Sequence, residues 1–276
     1  MIEEKIIVHF ETTVNPQRIG YDIYKTFIRI ENDRPKVAEF VSHLKAHPRM
    51  AWIALCEGSW DIILCMYAKT ATEFHDMHVQ LLSEFNPVIL NFSSYTLIRT
   101  KMYKRGYFAA RRSAHVVLGG DATPAEIDGI DLGILRAIGA HARLPATDIA
   151  RKLKLTPAIV QSRIQRLERL EIISGYRIEL NIAKLGMIFF KTQFFLRSYD
   201  LDLRKQFQEF CELNPYISCY TEQIGDCNVE IELHVPTHAI YSGVIDEIRA
   251  RYSKFIKTFN TLLISESWYS WLPRDI

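Results

Sequence analysis

The feature that most constrains this chain is that it repeats itself. The segment Ile6-Ile7-Val8-His9-Phe10, with Val14-Asn15, Gly20-Tyr21 and Lys25-Thr26 behind it, returns as Ile172-Ile173-Ser174-Gly175-Tyr176, Leu180-Asn181, Gly186-Met187 and Lys191-Thr192. The offset is a constant 166. Further along, Pro48 answers to Pro215, Gly58 to Gly225, Thr70 to Thr237 and Phe92 to Phe259, so the offset has become 167 and the second copy carries one inserted residue. Self-similarity at this period predicts two homologous units of about 100 residues, an ordinary domain size.

Within each unit the periodicities alternate in one order. In the first copy YDIYKTFIRIE alternates as a strand does, and PKVAEFVSHLKAH then has helical spacing. RMAWIALCEG and WDIILCMYA read as two strands, TEFHDMHVQLLSEF as a helix and PVILNFSSYTLI as a strand. The second copy follows with MIFFKTQFFLR, DLRKQFQEFCELN, YISCYTEQI, NVEIELHV, AIYSGVIDEIRARY and KFIKTFNTLLIS. This β-α-β-β-α-β order is the split-βαβ, or ferredoxin-like, pattern. It leaves one sheet face uncovered by its own segment, so the two copies are expected to pack sheet against sheet, within one chain or between chains.

Composition bounds the function classes. With 48% hydrophobic and 24% charged residues, the chain can bury real cores. A formal net charge of +2 excludes a polycationic coat but leaves room for a local basic patch. No run of about 18 apolar residues is present, and MIEEKIIVHF has acids where a signal peptide needs bases, so a cytoplasmic protein with no membrane span is expected. Cys56, Cys65, Cys211, Cys219 and Cys227 are odd in number and lack C-x-x-C spacing; they read as buried thiols, with no zinc site and no cofactor expected.

Between the copies, residues 101–126 (KMYKRGYFAARRSAHVVLGGDATPAE) are basic at first, through Lys101, Lys104, Arg105, Arg111 and Arg112, and then punctuated by Gly and Pro. They read as a linker, either a solvated connector or an arm that touches phosphates. Residues 127–176 have no complete counterpart in the first copy. Asp128 with Asp131 resembles a helix cap with an acidic first turn, and Ile134, Leu135 and Ile138 make a buried stripe. A second helix starts near Pro145 and turns Ile149, Ala150 and Leu153 inward. Thr156 then caps a third helix with Pro157 at its first position. Val160, Ile164 and Leu167 form that helix's core face, leaving Pro157, Ala158, Gln161, Ser162, Gln165, Arg166 and Arg169 on the open side.

Three such helices make a helix-turn-helix whose last member lies in a DNA major groove. The residues expected to meet double-stranded DNA are Thr156, Pro157, Ala158, Gln161, Ser162, Arg163, Gln165 and Arg166. Gln161 and Gln165 suit adenine edges, Ala158 or Ile159 a thymine methyl, and the arginines phosphate or guanine. A blander reading pairs Arg163 and Arg166 with Glu168 or Glu171 on a solvated helix.

Asp131, Ile134-Leu135, Ala142-Arg143, Asp148-Ile149-Ala150, Leu155-Thr156, Val160, Arg163-Ile164, Leu167-Glu168, the hook Ile172-Ile173-Ser174-Gly175-Tyr176, Asn181 and Leu185-Gly186 together resemble the winged helix-turn-helix of the Lrp/AsnC (feast/famine) transcriptional regulators. Both flanking repeats resemble that family's effector domain, so the likeness covers nearly the whole chain except the linker. It implies an α+β protein in which a winged helix-turn-helix (127–180) lies between two ferredoxin-like domains (1–100 and 181–276). It also implies a homodimer or higher homo-oligomer and an amino-acid effector. The order departs from the family, whose members run reader then effector domain. Aligned on the repeat, Met1 falls opposite Leu167, so EEKIIVHF reads as the tail and wing strand of a first reader that is lost or encoded upstream.

The resemblance places the effector at a G-x-x-D turn. The first copy keeps it as Gly58-Ser59-Trp60-Asp61; the second has Gly225-Asp226-Cys227-Asn228. Gly58, Trp60, Asp61, Gly225 and Asn228 are therefore candidate ligand residues, beside the plainer reading of two hairpin turns. No catalytic or metal residues are assigned. The alternative class is a tetrapyrrole-processing enzyme resembling the sirohaem decarboxylases, for which His75 and His78 beside Asp76, with His9, His43 and His47, would be the histidines to consider. A ligand sensor without DNA binding is the remaining alternative.

Overall fold

The computed structural model describes residues 1–31, 33–103, 105, 116–120 and 123–276. In the first repeat, strand β1 (Ile7–Val14) precedes β2 (Asp22–Ile30), helix α1 (Arg34–Ala46), β3 (Met50–Glu57), β4 (Ile62–Ala68), α2 (Ala71–Glu84) and β5 (Ile89–Met102). A short strand β6 (Val116–Gly119) leads to three helices, α3 (Gly129–Ile138), α4 (Ala146–Leu153) and α5 (Pro157–Arg169). The second repeat supplies β7 (Ile173–Leu180), β8 (Ile188–Leu196), α6 (Leu201–Leu213), β9 (Ile217–Ile224), β10 (Val229–Val235), α7 (His238–Tyr252) and β11 (Ile256–Tyr269).

The two copies pair within one chain, through strand edges as well as sheet faces. Taken singly, their sheets run β5-β2-β4-β3 and β11-β8-β10-β9. The first half of β5 (89–96) lies on β2, and its second half (96–102) crosses to β9 of the other copy. β11 reciprocates, with 256–263 on β8 and 263–269 on β3. Eight antiparallel strands therefore close on themselves, β2-β4-β3-β11-β8-β10-β9-β5 and back to β2. Closure satisfies the backbone groups that open sheet edges would expose.

Alternation along the strands sends one set of side chains to the helices and the other to the interior of the ring. Ile28, Ile53, Ile62, Leu64 and Met66 pack under Phe40, Leu44 and Leu81 of α1 and α2. Phe194, Tyr220, Ile231 and Leu233 pack under Phe207, Cys211, Tyr241 and Ile248 of α6 and α7. Phe27, Trp52, Ile63, Tyr67, Tyr95, Cys227, Leu262 and Ile264, contributed by both copies, fill part of the interior. All five cysteines are buried and unpaired. Among the described residues no helix is long and apolar enough to cross a membrane.

β1 and β7 form a separate antiparallel ribbon in which Glu11 stands opposite Arg177. β1 also clamps the three-helix unit: Thr12 N–H donates to the Gly139 carbonyl and its Oγ1 to the Ile138 carbonyl, both at 2.8 Å. Ala142 N–H returns a bond to the Phe10 carbonyl at 2.8 Å. The stretch expected to be a linker is only partly one. β5 runs on through Lys101 and Met102, and β6 pairs with Arg99–Met102. Arg105 is largely buried and donates to the Ile178 carbonyl at 2.7 Å. Lys104, Arg111 and Arg112 lie outside the described residues.

Candidate DNA-reading helix and an internal cavity

The three helices are capped as their sequences dictate. Asp128 accepts from Ile130 and Asp131 N–H at 2.9 Å while Asp131 accepts from Asp128 N–H, a reciprocal cap that fixes the start of α3. Thr156 Oγ1 accepts from Ile159 N–H at 3.3 Å, and Pro157 sits where a missing N–H costs nothing. Val160 and Leu167 of α5 are fully buried against Ile134, Leu135 and Ile149. Thr156, Pro157, Ala158, Ile159, Gln161, Ser162 and Gln165 are exposed on one side of the helix. That side is uncharged, with Thr156, Gln161, Ser162 and Gln165 as its polar groups beside the apolar Pro157, Ala158 and Ile159, a mixture suited to base edges and methyl groups. Arg151, Lys152, Lys154 and Arg169 surround it as exposed cations.

Arg163 and Arg166 stand elsewhere. Arg163 Nη1 lies 2.7 Å from Asp128 Oδ2 and 3.2 Å from Asp131 Oδ1, and Arg166 Nη1 lies 2.8 Å from Asp131 Oδ2. Arg166 Nη2 also donates to the Glu126 carbonyl at 2.8 Å. Both arginines are half-buried and tie α5 back to the start of α3. Their partners are the cap residues of α3, not Glu168 or Glu171. Glu168 accepts from the Tyr176 hydroxyl at 2.6 Å, and Glu171 pairs with Arg18. The arginines therefore brace α5 against α3, and the solvent-facing surface of α5 is the Gln161, Ser162 and Gln165 side.

The two candidate ligand turns are occupied by protein. Asp61 accepts from Ile30 N–H at 2.9 Å and from Arg29 at 3.2 Å, and Arg29 also bonds the Gly58 carbonyl at 2.8 Å. Asn228 accepts from Leu196 N–H at 3.1 Å and donates to the Gly225 carbonyl and the Tyr199 hydroxyl, each at 3.2 Å. Trp60 is half-buried with its ring 6.1 Å from Phe27. Each glycine marks the place where the other copy's long strand crosses. A Cβ on Gly58 (φ +132°) would sit 2.7 Å from the Thr261 carbonyl oxygen, and one on Gly225 (φ +146°) 2.2 Å from the Tyr95 ring. None of these five residues lines the large cavity described next.

That cavity, about 840 Å³, lies between the β1–β7 ribbon and the interior of the strand ring. Its lining combines His9, Glu11, Arg105, Arg177, Lys191, Glu232 and His234 with Trp52, Tyr67, Tyr269 and Trp271. Burial pushes the Glu11 carboxyl up to about 7, against the nearby Arg177. Burial likewise brings His234 down to about 3 and lowers His9. Of these, His9, Arg105 and Lys191 stand out in the sequence, and for other reasons. The signal it passed over is in NVEIELHV: Val229, Ile231 and Leu233 face helices, so Glu230, Glu232 and His234 must share the other face. The histidines of α1 and α2, with His47 after α1, lie outside this lining. His78 is buried, 3.2 Å from Thr26 Oγ1, whereas His75 is exposed, and His43 pairs with Glu84 at 3.3 Å.

A family model described as the AsnC-type helix-turn-helix domain matches residues 127–168. The Bkd operon transcriptional regulator of Pseudomonas aeruginosa is 32% identical over 124 residues, covering 44% of this chain and 80% of that protein. The chain belongs to the Lrp/AsnC family. The proline dehydrogenase transcriptional activator of Rhodobacter capsulatus is 42% identical to this Lrp/AsnC protein over 62 residues, 22% of this chain and 40% of that one. The chain thus spans about two fifths of the length of the first curated relatives it matches. In fold, the siroheme decarboxylase NirDL, solved in complex with an iron-uroporphyrin III analogue, superimposes with a TM-score of 0.68 at 10% identity, over 96% of this chain and 78% of that one.

Proposed function

We propose that this protein is a sequence-reading, DNA-binding transcriptional regulator. The observation that carries this reading is the surface of α5: a capped, rigidly braced helix that presents Gln161, Ser162 and Gln165 to solvent among exposed cations. Arg163 and Arg166 support it indirectly, because their bonds to Asp128 and Asp131 hold the helix at a fixed angle. Each chain carries one such helix-turn-helix among its described residues, so reading two half-sites takes two chains, and we propose a homo-oligomer on DNA. A small molecule, an amino acid among the candidates, would act by binding one assembly better than another.

Selection from a random duplex library by the purified chain tests this reading. Enrichment of a defined motif, lost in Gln161→Ala/Gln165→Ala while the fold is retained, is the expected result. Equal binding to every duplex, abolished by moderate salt, would refute it, since that is phosphate attraction alone.

A second reading, a tetrapyrrole-processing enzyme, is favoured by one observation: the whole-chain likeness in fold to a siroheme decarboxylase. Incubation with sirohaem, followed by mass spectrometry for carboxylate loss, separates it from the first.

A further inference from the structure

The cavity lies on the pseudo-two-fold axis that relates the copies, since Glu11 and Arg177 are equivalent residues and also direct partners across the β1–β7 ribbon. Strand register fixes the other equivalences. Trp52 stands beside Cys65 as Cys219 stands beside Glu232. Ile23 pairs with Tyr67 as Phe189 pairs with His234, and Tyr269 lies against Trp52 as Met102 lies against Cys219. Two identical subunits would put the same residue at both members of each pair. Here Lys25 and Lys191 match and the other pairs differ, with Trp52, Tyr67 and Tyr269 answering to Cys219, His234 and Met102.

Part of the cavity wall is aromatic. Trp52, Tyr67, Tyr269 and Trp271 contribute to it; the Tyr269 ring is 6.0 Å from Trp52, and Trp271 stacks on Tyr269 at 5.7 Å, tilted by 10°. The wall also carries Glu232, His234, Arg177 and Arg105, and Lys191 Nζ joins the two sets, 4.9 Å from the Trp52 ring and 2.8 Å from Glu232. The guanidiniums meet their carboxylates only beyond hydrogen-bond length, Arg177 Nη1 3.7 Å from Glu11 and Arg105 Nη2 3.9 Å from Glu179, while Arg177 Nη1 donates to Met102 Sδ and Arg105 Nη1 to the Ile178 carbonyl. Buried polar atoms also face the space. Among the described residues, Trp52 Nε1, Glu11 Oε2 and Thr13 Oγ1 make no hydrogen bond, although their residues are 7%, 2% and 4% exposed. Native interiors rarely leave such atoms unpaired without a purpose.

We propose that this cavity binds a flat, conjugated carboxylic acid, its ring system against Trp52, Tyr269 and Trp271 and its carboxylate on Arg177. Planar guanidinium and carboxylate match in a two-bond fork, and a volume of this order takes a ligand well beyond a single amino acid. The site is distinct from the Gly58 and Gly225 turns; a small aromatic acid there is independent of both functional readings above, and a tetrapyrrole there rests on the second. Two sources share the chemistry: a small aromatic acid and a carboxylated tetrapyrrole.

Tryptophan fluorescence of the full chain, titrated with indole-3-acetate, indole-3-acetamide and uroporphyrin III, tests the proposal. One acid is expected to quench the emission at one equivalent per chain, with the neutral amide at least tenfold weaker than indole-3-acetate if the small acid is the binder. Arg177→Gln should weaken the acid at least tenfold. Arg177→Lys, which keeps the charge and loses the fork, should fall between and guards against a variant that does not fold. Asp61→Asn, at the distant turn, should change nothing. Quenching by indole-3-acetate alone assigns a small aromatic acid, and by uroporphyrin III alone a tetrapyrrole. Binding of neither acid, equal binding of acid and amide, or binding lost in Asp61→Asn but kept in both folded Arg177 variants would overturn the proposal.

Discussion

Lys25 and Lys191 hold equivalent places in the two repeats and converge on one buried carboxylate, that of Glu230, at 2.5 and 3.2 Å. Lys191 also bonds Glu232 at 2.8 Å, and Gln223 donates to the other oxygen of Glu230 at 3.0 Å. Both carboxylates come from the second copy; the equivalent first-copy residues are Ile63 and Cys65. Two first repeats facing each other would oppose two lysines with no counter-charge. The charges therefore favour pairing of unlike repeats, which is the pairing within one chain.

Burial alone would raise the Glu230 carboxyl; Lys25 and Lys191 overcome it and bring the group down to about 2. Glu230→Gln leaves two buried ammonium groups short of charge, so it is expected to cost about 3–5 kcal/mol in urea unfolding at pH 7. A loss under about 1 kcal/mol would mean that Glu232 suffices. Because the folded pKa is depressed, the contribution of Glu230 is present above the unfolded value and fades as pH falls from about 4.5 towards 2.

In the reading helix, stability and recognition are expected to separate. Asp131→Asn removes the charge that holds Arg163 and Arg166, at about 1–3 kcal/mol; hydrogen exchange should show α5 amides opening sooner. Gln161→Ala and Gln165→Ala, both exposed, should leave unfolding within about 0.5 kcal/mol. Selectivity for a bound motif should nonetheless fall by about 1–3 kcal/mol for each lost bidentate contact. Normal α5 protection in Asp131→Asn would contradict the bracing role.

Glu11 sets a pH dependence of unusual sign for a carboxylate. Its unfolded value is 4.5 and burial raises the folded value to about 7, with Arg177 and Arg105 opposing and Glu179 reinforcing. Between those values the folded chain holds a proton that the unfolded chain has released. Stability from this group therefore falls as pH rises through the window, by up to ~3 kcal/mol. His78 and His234 work the other way, brought down by burial to about 4 and about 3, so their share is lost as pH falls below 6.5. Melting of wild type and Glu11→Gln from pH 5 to 8 should show the variant gaining relative stability towards pH 8. Parallel curves would refute the assignment.

Gly225→Ala and Gly186→Ala both place a Cβ at positive φ, but only the first meets an obstacle, the Tyr95 ring. Gly186→Ala should cost about 1 kcal/mol from backbone strain alone. Gly225→Ala adds overpacking of about 1–3 kcal/mol. Equal midpoint shifts in denaturant would show that Tyr95 moves aside freely.

Much of this architecture is legible in the sequence because it is local. Strand and helix periods and the Asp128 and Thr156 caps each lie within short windows, and the repeat shows because each copy preserves its own local pattern. What is not legible depends on distant partners. Arg163 and Arg166 look free on α5 because Asp128 and Asp131, more than 30 residues earlier, are invisible to helical spacing. The strand VEIELHV looks half-solvated, since alternation separates two faces without saying that the polar one is enclosed. β5 and β11 each run 14 residues, and their later halves were passed over because those serve the other copy's sheet.

That exchange of strands bears on how the chain is made. The outer edge of β3 is covered by residues 263–269, which a ribosome adds about 200 residues after β3 itself, or roughly 10–40 s later at ordinary elongation rates. Through that interval the first repeat carries an open edge ready to pair with any passing strand. Vectorial synthesis thus makes this the period in which the nascent chain most needs a chaperone, and it ends when β11 arrives.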